Sequence, residues 1–160
     1  MKNLILTAVL LLIVSSLSFG QSAQVTAIVN MAISINTGTT LNLGIVQQGS
    51  TKTILSSNPG ATAFIISGEP GAQILVTVAF PPTLTGPGPG ITFTGQTPIH
   101  NTNNVQSTAV ATGFALTGGS TASDVSTGYL YIWMGGGITP PIGQASGSYS
   151  GTINVAVAYP

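Results

Sequence analysis

An all-β fold, a sandwich or a barrel, is predicted for this chain by three observations. Segments rich in Val, Ile, Thr and Ala are short and are punctuated throughout by Gly, Pro, Asn and Ser. Apolar residues within them recur with a period of two, which puts them on one face of a strand. No amphipathic helical stretch and no repeat at solenoid spacing is present.

The elements follow in order. In "AQVTAIVNMAISIN", Ala23, Val25, Ala27, Val29, Met31, Ile33 and Ile35 alternate, which predicts a strand over 23–35. "NTGTT" then turns the chain, and "LNLGIV" predicts a short strand with Leu41, Leu43 and Ile45 on one face. "STKTILS" predicts another, carrying Lys52 outward. "TAFIIS" and "QILVTVAF" are joined by "GEPGA", where Pro70 and Gly71 suit a turn, so residues 62–80 are expected to form a hairpin. "PPTLTGPGPG" breaks strand structure because proline donates no ladder hydrogen bond. "ITFTG" resumes it, with Ile91 and Phe93 together. The polar "QTPIHNTNNVQST" is expected to be a surface loop, and "AVATGFALTG" a strand with an irregularity at Gly113. "GYLYIWMG" is the most hydrophobic strand after the first twenty residues. "GGITPPIGQAS" leads into a closing strand in which Tyr149, Gly151, Ile153, Val155, Val157 and Tyr159 share a face.

The two ends pose the functional question. The first alternation covers about thirteen residues, roughly 40 Å of extended chain, about twice an ordinary strand. Such a length fits a segment that crosses between sheets, or one whose first half leaves its own domain and completes a neighbour. Exposed strand edges are ordinarily blunted by Lys, Pro or an inward charge. Neither terminal strand carries a charged side chain.

Residues 1–20, "MKNLILTAVLLLIVSSLSFG", have the form of a secretory signal peptide, with Lys2, an apolar run from Leu4 to Val14, and small residues at Ser18 and Gly20. Cleavage before Gln21 and an extracellular or cell-surface product are expected. No later segment is long and apolar enough to be a transmembrane helix. Cysteine is absent, so neither a disulfide nor a lipid-anchoring thiol is available. Two basic and two acidic side chains serve 160 residues. So few cations cannot neutralise a phosphate backbone or hold an anionic bilayer, which argues against nucleic acid and charged membrane surfaces as partners.

The same poverty of charge bears on catalysis. Glu69 and Asp124 are the only side-chain carboxylates, one in a turn and one in a Ser/Thr-rich loop, with nothing that pairs them across a bond. His100 is the only histidine, too few for a conventional zinc site, and it is expected to be a solvated loop residue. The nucleophile elbow G-x-S-x-G does not occur. "GPGPG" at 86–90 lacks the amide donors of a phosphate loop and no helix follows it. No catalytic residue, metal or cofactor is expected. Tyr129, Tyr131 and Trp133 alternate on one strand face with Leu130, Ile132 and Met134 on the other. An exposed aromatic stripe stacks on sugar rings or anchors a partner, and the same pattern suits a strand buried on both sides.

Taken together, "ISINTGTTLNLGIV", "GEPGAQILVTV" and "GQASGSYSGTINVAVAYP" resemble a pilin-like family of secreted domains, akin to spore coat protein U and more distantly to chaperone/usher fimbrial subunits. The resemblance implies an immunoglobulin-like β-sandwich at 37–160 whose incomplete sheet accepts a strand from another subunit, preceded by an extension at 21–36. Val25, Ala27, Val29 and Met31 would be the donated residues, and Ile153, Val155, Val157 and Tyr159 the accepting edge. It further implies a head-to-tail homopolymer, a pilus-like filament or surface layer, assembled with or without a periplasmic chaperone or an outer-membrane assembly protein. Loops near 81–90 and 96–108 would be available for adhesion. The other reading is a monomeric secreted adhesin or carbohydrate-binding module using Tyr129, Tyr131 and Trp133.

Overall fold

The computed structural model describes residue 24 and residues 26–111, 119–122 and 127–160. The expected leader, Val25, Gly113 and Asp124 lie outside the described residues. The fold is all-β. Twelve strands among the described residues form antiparallel sheets, and none of the described helices is long and apolar enough to cross a membrane.

The strands are β1 (Ser34–Thr39), β2 (Lys52–Ile54), β3 (Thr62–Ser67), β4 (Gln73–Ala79), β5 (Thr83–Leu84), β6 (Ile91–Gly95), β7 (Ile99–Asn101), β8 (Val110–Ala111), β9 (Gly119–Ala122), β10 (Tyr129–Met134), β11 (Gly136–Ile138) and β12 (Asn154–Ala158). One sheet runs β1-β3-β10-β7-β8 and the sheet facing it β12-β4-β9. Their inner faces meet in a first core. Phe64 and Ile66 of β3, Ile74, Val76 and Val78 of β4, and Leu130, Ile132 and Met134 of β10 are all buried there. Each such side chain contributes about 1.5–3 kcal/mol relative to exposure. Beyond Gly135 the chain of β10 continues as β11 and changes partners, joining the sheet β2-β11-β6-β5 over a second core of Leu84, Ile91, Phe93 and Ile138.

Several expectations are corrected here. Residues 62–80 are not a hairpin: β3 pairs with β1 and β10, whereas β4 pairs with β12 and β9. The five-residue connection spans the gap between sheets, because the apolar faces of both arms are satisfied by meeting across the core rather than side by side. The first strand begins at Ser34, not near residue 23, and runs through "NTGT", where a turn was expected, with a register shift between Thr37 and Thr39. Residues 34–36 are therefore paired within the sandwich. Within 81–90, Thr83 and Leu84 pair with Thr92 and Ile91. Within 96–108, residues 99–101 form β7 against β10, so His100 is a half-buried strand residue opposite Ile132 and not a solvated loop residue. Of the strand expected over 109–118, Val110 and Ala111 form β8 and residues 112–118 lie outside the described residues.

The strand directions set the poles of the molecule. β3 runs toward the 68–72 turn and β4 away from it. β12 is antiparallel to β4 and β1 to β3, so β1 and β12 run oppositely. Both the start of β1 and the end of β12 therefore lie at the pole of the 68–72 turn. The second core occupies the other pole.

Candidate functional site: a cleft between the two terminal segments

β1 and β12 are the outermost strands of their sheets on the same side of the sandwich, and the chain continues from each toward the second core. After β1, Leu41 and Leu43 turn inward onto that core and are half-buried. The alternation then fails. Gly44 adopts φ 67°, a conformation that costs a side chain-bearing residue about 1–2 kcal/mol, and its N–H donates to Asn42 Oδ1 at 2.9 Å. This local turn shifts the phase by one residue. Ile45, expected to face inward with Leu41 and Leu43, is 99% exposed, and Val46 takes the inward place. Residues 40–46 belong to no strand ladder.

The opposite rim is residues 144–153. Gln144 is buried, and its side-chain amide donates to Pro89 O at 2.7 Å and to Tyr149 Oη at 2.6 Å. Tyr149 Oη in turn donates to Ala145 O at 2.9 Å. Thr85 and Ser150 exchange main-chain hydrogen bonds at 2.8 and 2.9 Å. The prolines and glycines of 86–90 thus brace this rim: a Cβ at Gly86 would lie 2.6 Å from the Tyr149 ring. Gln48 joins the two rims at one end, donating from Nε2 to Gln144 O at 2.6 Å and accepting at Oε1 from Gly143 N–H at 3.0 Å.

Between the rims lies a cleft of about 780 Å³, floored by Phe64, Leu84, Ile91, Phe93 and Ile138 and extending down to Thr37 and Ile153. Its floor is apolar. Its walls include two stretches of main chain, residues 40–46 and 151–153, that lie in no ladder. An extended segment is the ligand shape that satisfies both, since its N–H and C=O groups pair laterally while alternate side chains point down. Neither Gln48 nor Gln144 was singled out from the sequence. The signal available was the glycine that interrupts "LNLGIV".

The residues expected at the site are distributed as follows. Ile153, Val155, Val157 and Tyr159 are half-buried and pack against the first core from β12 and its flanks. β12 pairs with β4 alone among the described residues. Ala27, Val29 and Met31 lie in a segment, residues 26–32, without strand structure; Val29 is 90% exposed, and the neighbouring Ile28 92%. Tyr129, Tyr131 and Trp133 stand on the outer face of β10. The Tyr131 and Trp133 rings are stacked, 17° from parallel with centroids 6.1 Å apart, and Trp133 is buried. Rings filed along the strand in this way turn their faces to one another, and of the three only Tyr129 is exposed.

The fold is that of an all-β sandwich with an apolar-floored cleft beside the approach to its last strand. Residues 11–159 match the family described as "Domain of unknown function (DUF4402)", and the chain belongs to that family. No curated protein matches it.

Proposed function

We propose that this chain is an exported structural subunit of an extracellular filament or surface assembly, joined to its neighbours by β-strand donation. The carrying observation is the cleft. In a constant-type immunoglobulin sandwich, four strands face three, and the last strand of the chain lies at the outside of the three-stranded sheet. The order β1-β3-β10-β7 corresponds to the four, and β12-β4-β9 to the three. The cleft between the approach to β12 and the continuation of β1, with its apolar floor and unladdered walls, supports room for one further strand beside the last one. The same chain carries, at the opposite pole, an unpaired segment with exposed Ile28, Val29 and Met31.

These two features are complementary and lie at different ends of the body. A contact between them is heterologous, and repeated it gives an open fibre. In that arrangement the segment enters the next copy's cleft from the second-core pole and runs antiparallel to β12. Val25, Ala27 and Val29 face the floor. Main-chain pairing supplies affinity and the alternate side chains supply selection. A periplasmic chaperone or an outer-membrane assembly protein would engage the same cleft before the neighbouring copy does. The aromatic strand supports a sugar-binding role less, because its stacked rings offer edges rather than faces.

Light scattering and negative-stain microscopy of a chain starting at Gln21 and of one starting at Ala32 test this. Fibres or ladders are expected from the longer chain alone. Compact monomers from both at high concentration would refute strand donation.

A further inference from the structure

We infer that Glu69 is the positioning residue of the N-terminal segment, a cleat that fixes where the segment leaves the body; what that aim serves rests on the donation reading above. In a chain with only two side-chain carboxylates, this one is spent on a backbone group. Its Oε2 accepts the N–H of Met31 at 3.0 Å. The bond ties residues 26–32, which lie in no ladder, to the body at Met31. A charged acceptor makes such a bond roughly twice as strong as a neutral pair.

Glu69 is itself held from behind. Its N–H donates to Tyr159 Oη at 2.7 Å. The Tyr159 hydroxyl lies over Gly68, where a Cβ would approach it to 2.5 Å, and Ile33 lies 3.6 Å from the same point. The N–H of Gly68 donates to Gly128 O at 3.0 Å, which ties the turn to the start of β10. The root of the N-terminal segment, the end of the accepting strand and the 68–72 turn therefore meet at one residue pair, Gly68 and Glu69. The bond sets the segment's pivot at Met31. Without it, the pivot retreats to Ile33 and Ser34, where β1 pairing begins. From there the segment samples a wider cone, including directions back along the groove between its own β1 and β12.

The test uses the chain from Gln21, with Glu69→Ala and the isosteric Glu69→Gln, which keeps an acceptor but removes the charge. Exchange of the Met31 amide is measured by NMR, assembly rate by light scattering, and acceptor competence by binding of a synthetic peptide of residues 21–31. Met31 exchange is expected to quicken about tenfold in Glu69→Ala and less in Glu69→Gln. Assembly is expected to slow while peptide binding stays at the wild-type level. Unchanged Met31 exchange in both variants would overturn the cleat, and faster exchange with an unaltered assembly rate would overturn its role in assembly. If Glu69→Ala does not fold, Glu69→Gln carries the same three readouts. Failure of the wild-type cleft to bind the peptide would refute donation and the assembly role together, while the exchange measurement still decides whether Glu69 holds the segment.

Discussion

His100 shows how one residue changes character when a strand forms around it. In "QTPIHNTNN" it sits among polar neighbours, yet β7 draws it into register with Ile132, and burial lowers its pKa below the ordinary 6.5. Between that lowered value and 6.5 the unfolded chain binds more protons than the folded one, so folding stability rises with pH across the window. Acidification from about pH 7.5 to about pH 5 is expected to lower the thermal midpoint, and His100→Gln to remove the part of that slope lying above the carboxylate range. Thermal unfolding of both proteins at the two pH values checks this. An identical slope in the variant would show that His100 is not the titrating group. Gly44 is the comparable case at the cleft, because a single left-handed residue reverses which of Ile45 and Val46 reaches the core.

At the scale of elements, the alternation along the strands was legible in the sequence and the partnerships were not. The period-two pattern separates Leu130, Ile132 and Met134 from Tyr129, Tyr131 and Trp133, since alternation depends only on local geometry, but it does not say which set is buried, and in "TAFIIS" both faces are apolar. Which strand lies beside which is a tertiary choice. The "GEPGA" turn suits a hairpin as well as a crossing between sheets, and the sequence does not separate them. β7 was hidden because its three residues pair through backbone groups within a polar context. The aromatic strand was recognised, and its ring geometry required the fold. The cleft was half legible: the outer strand beside it shows in "INVAVAY", but the rim held by Gln48 and Gln144 depends on contacts across 96 residues. That rim is open to test. Gln144→Ala removes the donor to Pro89 O and Tyr149 Oη and is expected to cost about 1–3 kcal/mol, the penalty for stranding partly buried acceptors. Amide exchange should quicken at residues 145–151 and stay unchanged in β3 and β10. Uniform quickening throughout would mean that Gln144 supports the whole fold rather than the rim.

For the molecule as a whole, the open cleft means that the chain does not bury all the apolar surface it has gathered. Two cores are nearly closed, yet Phe64, Leu84, Ile91 and Phe93 still line a cleft of about 780 Å³. A strand laid there completes the barrier between core and water, so occupancy and stability are linked: a ligand that binds only the folded state stabilises it by RT ln(1 + [L]/Kd). A peptide of residues 21–31 added at about one hundred times its Kd to the chain starting at Ala32 is expected to contribute about 2.7 kcal/mol, a midpoint rise on the order of 10 °C. The period of the strand makes the test sharper, because only one face of the peptide meets the floor. With Val25, Ala27 and Val29 facing inward, Val29→Asp should abolish the rise, since a charge would be buried without a partner. Ile28→Asp, on the outward face, should leave most of it. The reverse outcome would place Ile28 against the floor, and a rise unaffected by either change would mean that the peptide does not enter the cleft as a strand.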